Sequence, residues 1–151
     1  MVLTSKESDL LKDMKGQEEL CIEKYTRYAG AAKCETLKTL LNNLADKERE
    51  HLKTVNSMIA GNEPAAPGTL TGNNELAIAC AYSSADDKRS DEFMLRDMLS
   101  TEKHVSNVYN TAVFEFKNPA CRKMLSHIQN EEQQHGEMLY AFMNANGMYN
   151  S

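Results

Sequence analysis

The chain contains one pattern twice. Shifting it by 84 residues sets "LKDM" (11–14) on "LRDM" (95–98), Glu18 on Glu102, Tyr25 on Tyr109, and Leu41 on Leu125. The same shift carries Glu48 and His51 onto Glu132 and His135. Other positions exchange one apolar residue for another, as Leu44 does with Ile128 and Met58 with Phe142. A repeat of this kind is one supersecondary unit used twice, and neither unit buries its apolar face alone.

Each unit reads as a helical hairpin. In the windows about 5–60 and 86–145, apolar residues recur every three or four positions. The turns are expected near "GAAKCE" (30–35) and "KNPACR" (117–122), where Asn118 can cap and Pro119 can take the first helical position. Thr4 with Glu7, and Ser84 with Asp87, have capping-box spacing. Gly147 suits a C-terminal stop.

Between the units, over about 61–85, lie the helix breakers Gly61, Pro64, Pro67, Gly68 and Gly72, with a short helical turn expected over "ELAIACAY" (75–82). Helices of about 27 residues are roughly 40 Å long. An extended crossover of about 25 residues covers that distance at ~3.3 Å each. The third helix then runs parallel to the second. The expected fold is therefore all-α: a single ferritin-like four-helix bundle spanning 1–151, built as two repeated hairpins with a long crossover between helices two and three.

Length and charge narrow the function classes. At 151 residues the chain buries a core without staples. A net charge of −5 argues against nucleic acid as a partner. No apolar run approaches the ~20 residues that span a bilayer, so no membrane partner is expected. The opening "MVLTSKESDL" has no apolar core of a signal peptide, which points to synthesis in the cytoplasm. The cysteines Cys21, Cys34, Cys80 and Cys121 show no CxxC spacing, and are expected as reduced, half-buried core fillers.

Four glutamates and two histidines interrupt the apolar stripes: Glu18, Glu48, His51, Glu102, Glu132 and His135. Steps of three and four keep each on the core face of its helix. Buried carboxylates without partners are costly, so something must offset them. Two divalent cations match the four carboxylates in charge, and neutral imidazoles complete the donor set. One Glu from each of two helices, plus Glu-x-x-His from each of the others, is the di-iron or di-manganese carboxylate pattern.

These six residues are thus the expected metal ligands, for two divalent ions. Iron is the first choice, with manganese or zinc as alternatives. Tyr25 and Tyr109, seven residues after Glu18 and Glu102, are placed to donate hydrogen bonds to ligand carboxylates, and Glu131 to accept one from a ligand histidine. Lys47, which corresponds to Glu131 in the first unit, cannot do the latter. Glu19, Glu23, Glu50, Glu137, His104 and His127 fall off the stripes and are expected in solvent. No catalytic residue is assigned.

Residues 100–149, through "TEKHVSNVYNTA", "NPACRKML", "NEEQQH" and the closing "NGMY", resemble the coat F domain of spore-forming bacteria. The resemblance implies a ferritin-like helical bundle and association with the spore coat. Other spore coat proteins, or a second copy in a homodimer, are then the expected partners. It implies no particular reaction. The alternative reading is a small di-iron oxidase or peroxidase of rubrerythrin type, with another protein as electron donor because the chain lacks CxxC pairs. Cage-type iron storage is the weaker third reading, since little chain follows helix four.

Overall fold

The computed structural model of the protein describes residues 1–70 and 79–149. It has four helices: α1 (Ser5–Ala31), α2 (Glu35–Ile59), α3 (Ala85–Glu115) and α4 (Pro119–Ala145). Among the described residues there is no strand. The two hairpins expected from the repeat are α1–α2 and α3–α4.

Local chemistry sets the helix ends. Thr4 and Glu7 form a reciprocal capping box at the start of α1. The Ser84 hydroxyl accepts from the Asp87 N–H at the start of α3. The Asn118 side-chain oxygen Oδ1 accepts from the Ala120 and Cys121 N–H groups, and Pro119 opens α4. These contacts satisfy donors that a helix leaves unpaired at its first turn. At the other ends, Gly61 and Gly147 adopt positive φ of 89° and 65°. The following N–H groups, of Asn62 and Met148, bond back to Ser57 and Met143. This stop favours a residue without a β-carbon.

The cross-bundle contacts fix the direction of each helix. Tyr25 of α1 meets Glu102 of α3, whereas Glu18 meets Tyr109. Position rises in one helix as it falls in the other, so α1 and α3 are antiparallel. Glu48 meets His135 and His51 meets Glu132 in the same inverse order, so α2 and α4 are antiparallel as well. With α1 and α2 joined by a three-residue turn, α2 and α3 run parallel, as the long crossover requires.

The apolar stripes meet on the bundle axis. Leu11, Met14, Leu37, Leu41, Leu95, Met98, Leu125 and Leu139 are among the residues with no exposed surface. Each such side chain stabilises the fold by about 1.5–3 kcal/mol relative to exposure.

The described start of the crossover lies on the α2–α4 side. It meets α4 where Asn118 donates to Glu63, and Ala65 to Gly68 lie over Thr54 and His127. The last part of the crossover reaches the far end, where the Cys80 N–H donates to Asn146. Of the short turn expected over 75–82, residues 75–78 lie outside the described residues. Residues 79–82 are not helical.

The cysteines divide into two kinds. Cys21 and Cys121 are free and buried, as expected. Cys34 and Cys80 form a disulfide, which corrects the expectation of four reduced thiols. The crossover returns to the α1–α2 turn and sets their Cα atoms 6.2 Å apart, within the range a bridge requires. Nothing in their separation along the chain signals that approach.

Candidate metal centre

The six stripe residues converge at mid-bundle. Glu18, Glu48, His51, Glu102, Glu132 and His135 are each at most 3% exposed. Their potential ligand atoms form two overlapping sets: Glu18, Glu48, His51 and Glu132, and Glu48, Glu102, Glu132 and His135. Within each set these atoms lie within 4.8 Å of one another. Glu48 and Glu132 belong to both sets, and each set has its own glutamate from the first or third helix and its own histidine. The two imidazole rings stack with centroids 5.9 Å apart.

The imidazoles point inward through Nδ1. His51 Nδ1 lies 2.8 Å from Glu132 Oε1 and 3.1 Å from Glu48 Oε2. His135 Nδ1 lies 2.7 Å from Glu48 Oε1 and 3.4 Å from Glu102 Oε1. His51 Nε2 faces outward to Glu131 Oε1 at 3.2 Å. Glu131 also meets Lys47 at 3.3 Å and His127 Nε2 at 3.2 Å. Lys47 and Glu131, which occupy equivalent positions in the repeat, are therefore ion-pair partners across the bundle.

The tyrosines cross between repeats. Tyr109 donates to Glu18 at 2.7 Å, and Tyr25 donates to Glu102 at 2.5 Å. Burial, and then the nearby carboxylates, push both phenols well above their ordinary value. They remain hydroxyl donors.

The electrostatics are those of carboxylates short of positive charge. Burial and the neighbouring Glu48 push Glu18 well above the usual carboxylate range, and burial with Glu102 does the same to Glu132. Burial also opposes ionisation of Glu48, but contacts to Glu18, His135 and His51 outweigh it and hold Glu48 well below that range. Burial likewise opposes charge on His51, yet contacts with Glu131 and Glu48 push it up to about 10. His135 is raised well above its ordinary value, with Glu48 the main cause outweighing burial. Burial acts against the Glu131 charge too, and His51 outweighs it to bring Glu131 down to about 2.

Glu18 Oε2, Glu102 Oε2 and Glu132 Oε2 are buried without a hydrogen-bond partner. Buried acceptors are normally paired, and each exception needs an explanation. A cation between them supplies one. All-oxygen and imidazole donors suit iron, manganese or zinc, so the residues present fit a pair of such ions.

Some participants escape the helical pattern. His127, expected in solvent, is half-buried and pairs with Glu131. Glu19, Glu23, Glu50, Glu137 and His104 are exposed. Asp91 is fully buried and accepts from the Lys33 and Cys34 N–H groups and from the Tyr82 hydroxyl. Its position is that of Glu7 plus 84 residues, and Glu7 accepts from the Lys117 N–H of the other turn. The repeat was the available signal: an acidic residue stands at both places.

Fold and site together define a four-helix bundle with a buried carboxylate–imidazole core. Residues 90–151 match the family model of the Coat F domain, so that segment is similar to the spore coat protein F family. No curated protein and no solved structure matches the chain. No helix among the described residues is long and apolar enough to cross a membrane.

Proposed function

We propose that this chain is a spore-coat-associated protein whose ferritin-like bundle, acting as one domain, holds two divalent cations. Glu48 and Glu132, which belong to both donor sets, would contribute to holding both. Glu18 and His51 complete one site, and Glu102 and His135 the other. Tyr109 and Tyr25 hold the two terminal carboxylates, while Glu131 fixes the ring of His51. Iron is the best fit, followed by manganese and zinc.

The carrying observation is the set of three buried carboxylate oxygens without hydrogen-bond partners, placed within two overlapping four-residue donor sets. Burying one ion without an offset costs several kcal/mol, and no apolar packing role requires four carboxylates here. A redox-active pair of ions would supply one-electron chemistry toward a small oxidant. The protein's own residues bind the ions, orient the imidazoles and exclude bulk water.

Coat localisation rests on the Coat F match. The Cys34–Cys80 bridge supports a destination less reducing than the cytosol. Partners are other coat proteins or a second copy.

The test is metal content after anaerobic iron loading, measured by elemental analysis against protein concentration. Two ions per chain are expected in the parent, and loss of both in Glu48→Ala. A parent stoichiometry near zero would sink the reading.

A further inference from the structure

The repeat breaks where it bears on access to the site. A cavity of about 470 Å³ lies between α3 and α4. Buried Glu102 and Glu132 form its inner end, while exposed Lys103, Asn107 and Gln133 stand at its mouth. Each of these two glutamates has a buried oxygen that no protein group hydrogen-bonds. The cavity therefore ends on the two glutamates that carry these unsatisfied oxygens.

Ser106 and Gly136 line the passage between mouth and floor. The equivalent positions 84 residues earlier are Ile22 and Leu52. Between α1 and α2, then, two large apolar residues stand where α3 and α4 place a hydroxymethyl group and a hydrogen. Glycine within a helix is unfavourable, second only to proline, so Gly136 weakens α4. A β-carbon there would stand 3.8 Å from Leu99 Cδ1, an ordinary contact. A methyl group fits, but a longer side chain extends into the passage.

Charge selects what enters. Among the described residues, Lys103 is the only charged one lining the mouth, and it repels a divalent cation. On the α2–α4 side a second cavity, of about 240 Å³, reaches His51 past Glu50, His127 and Glu131. That lining suits a cation, and the α3–α4 lining suits something else.

We propose that the α3–α4 cleft over Gly136 is the entrance by which a small neutral or singly anionic ligand, of the size of peroxide or azide, reaches the centre. This rests on the two-ion reading above. Gly136 and Ser106 act by leaving room, and Lys103 by attracting negative charge.

The test uses the iron-loaded, air-oxidised protein with azide as the probe, followed by stopped-flow absorption of the azide–iron charge-transfer band. Gly136→Leu installs the residue of the first repeat and improves helix propensity. It should keep two ions per chain while azide association slows roughly tenfold or more. Gly136→Ala should change the rate little. Lys103→Glu, a surface change that does not depend on repacking, should slow association roughly two- to fivefold, with the difference fading in high salt. It decides the matter if Gly136→Leu does not fold. An unchanged azide rate in these variants, with two irons bound, overturns the entrance and leaves the metal site standing. A parent chain that binds no iron overturns both.

Discussion

The hydroxyl of Tyr109 donates to Glu18, from the opposite repeat, at 2.7 Å. Its mate Tyr25 donates to Glu102 in the reverse direction. Each repeat therefore supplies the hydrogen bond that orients the other's carboxylate, and neither hairpin completes the site by itself.

Removing the hydroxyl separates orientation from packing. In Tyr109→Phe the ring still fills the core, but Glu18 Oε1 loses a buried donor. The metal-free protein should lose about 1–3 kcal/mol in urea denaturation. Ion affinity should fall about 10–100-fold in competitive titration, as it does when a group orienting a metal ligand is removed. Unchanged affinity together with a stability loss would make Tyr109 a core residue only.

Glu7 and Asp91 form a second reciprocal pair, one near the start of each repeat. Asp91 accepts from two N–H groups of the α1–α2 turn, and Glu7 from one of the α3–α4 turn. Asp91→Ala leaves those partly buried donors without their acceptor and should cost about 1–3 kcal/mol, read from the urea midpoint. Glu7→Ala removes a capping-box partner and should cost about 1 kcal/mol.

Glu7 gives a pH dependence with a definite sign. The Thr4 N–H bond, opposed by burial and aided by the Lys117 N–H, lowers the Glu7 carboxyl from its usual 4.5. A carboxylate depressed on folding contributes stability that is complete above its unfolded value and lost as pH falls through its folded value. Glu7→Gln should therefore be less stable than the parent at neutral pH, and the difference should shrink below pH 4.5. A gap that stays constant from pH 7 to pH 3 would contradict this.

The fold was readable because burial obeys the helical period: apolar stripes, breakers and caps each mark an element. The six core donors were readable because a carboxylate on such a stripe conflicts with burial, and the repeat supplied its facing partners. Asp91 was missed although the repeat pairs it with Glu7, because it lies near the start of α3 and is buried by a turn distant in sequence. His127 was missed because its face is covered by the crossover, a segment without periodicity. Cys34 and Cys80 were missed for the same reason: residues joined through irregular chain leave no pattern of spacing.

The disulfide should stabilise the fold mainly through the unfolded chain. It closes a loop with a sequence separation of 46, and loop closure of that length is worth about 4 kcal/mol. Cys34→Ser with Cys80→Ser should lower the urea midpoint by a matching amount, and added reductant should then have no further effect. The parent should fall to the variant's midpoint when reduced. Equal midpoints for oxidised and reduced parent would contradict a structural role for the bridge.

Shared and unshared glutamates should differ in the number of ions lost. Glu132 belongs to both donor sets and Glu102 to one. Glutamine keeps the shape and one acceptor oxygen but removes the charge, which burial already disfavours in the metal-free protein. Both Glu132→Gln and Glu102→Gln should therefore remain folded without metal, within about 1 kcal/mol of the parent by urea denaturation. Elemental analysis after iron loading should then separate them: Glu102→Gln keeps one ion per chain, and Glu132→Gln keeps none. Equal losses in the two variants would show that Glu132 does not bridge. Full occupancy in both would mean that the ions bind elsewhere and that neither glutamate is a ligand.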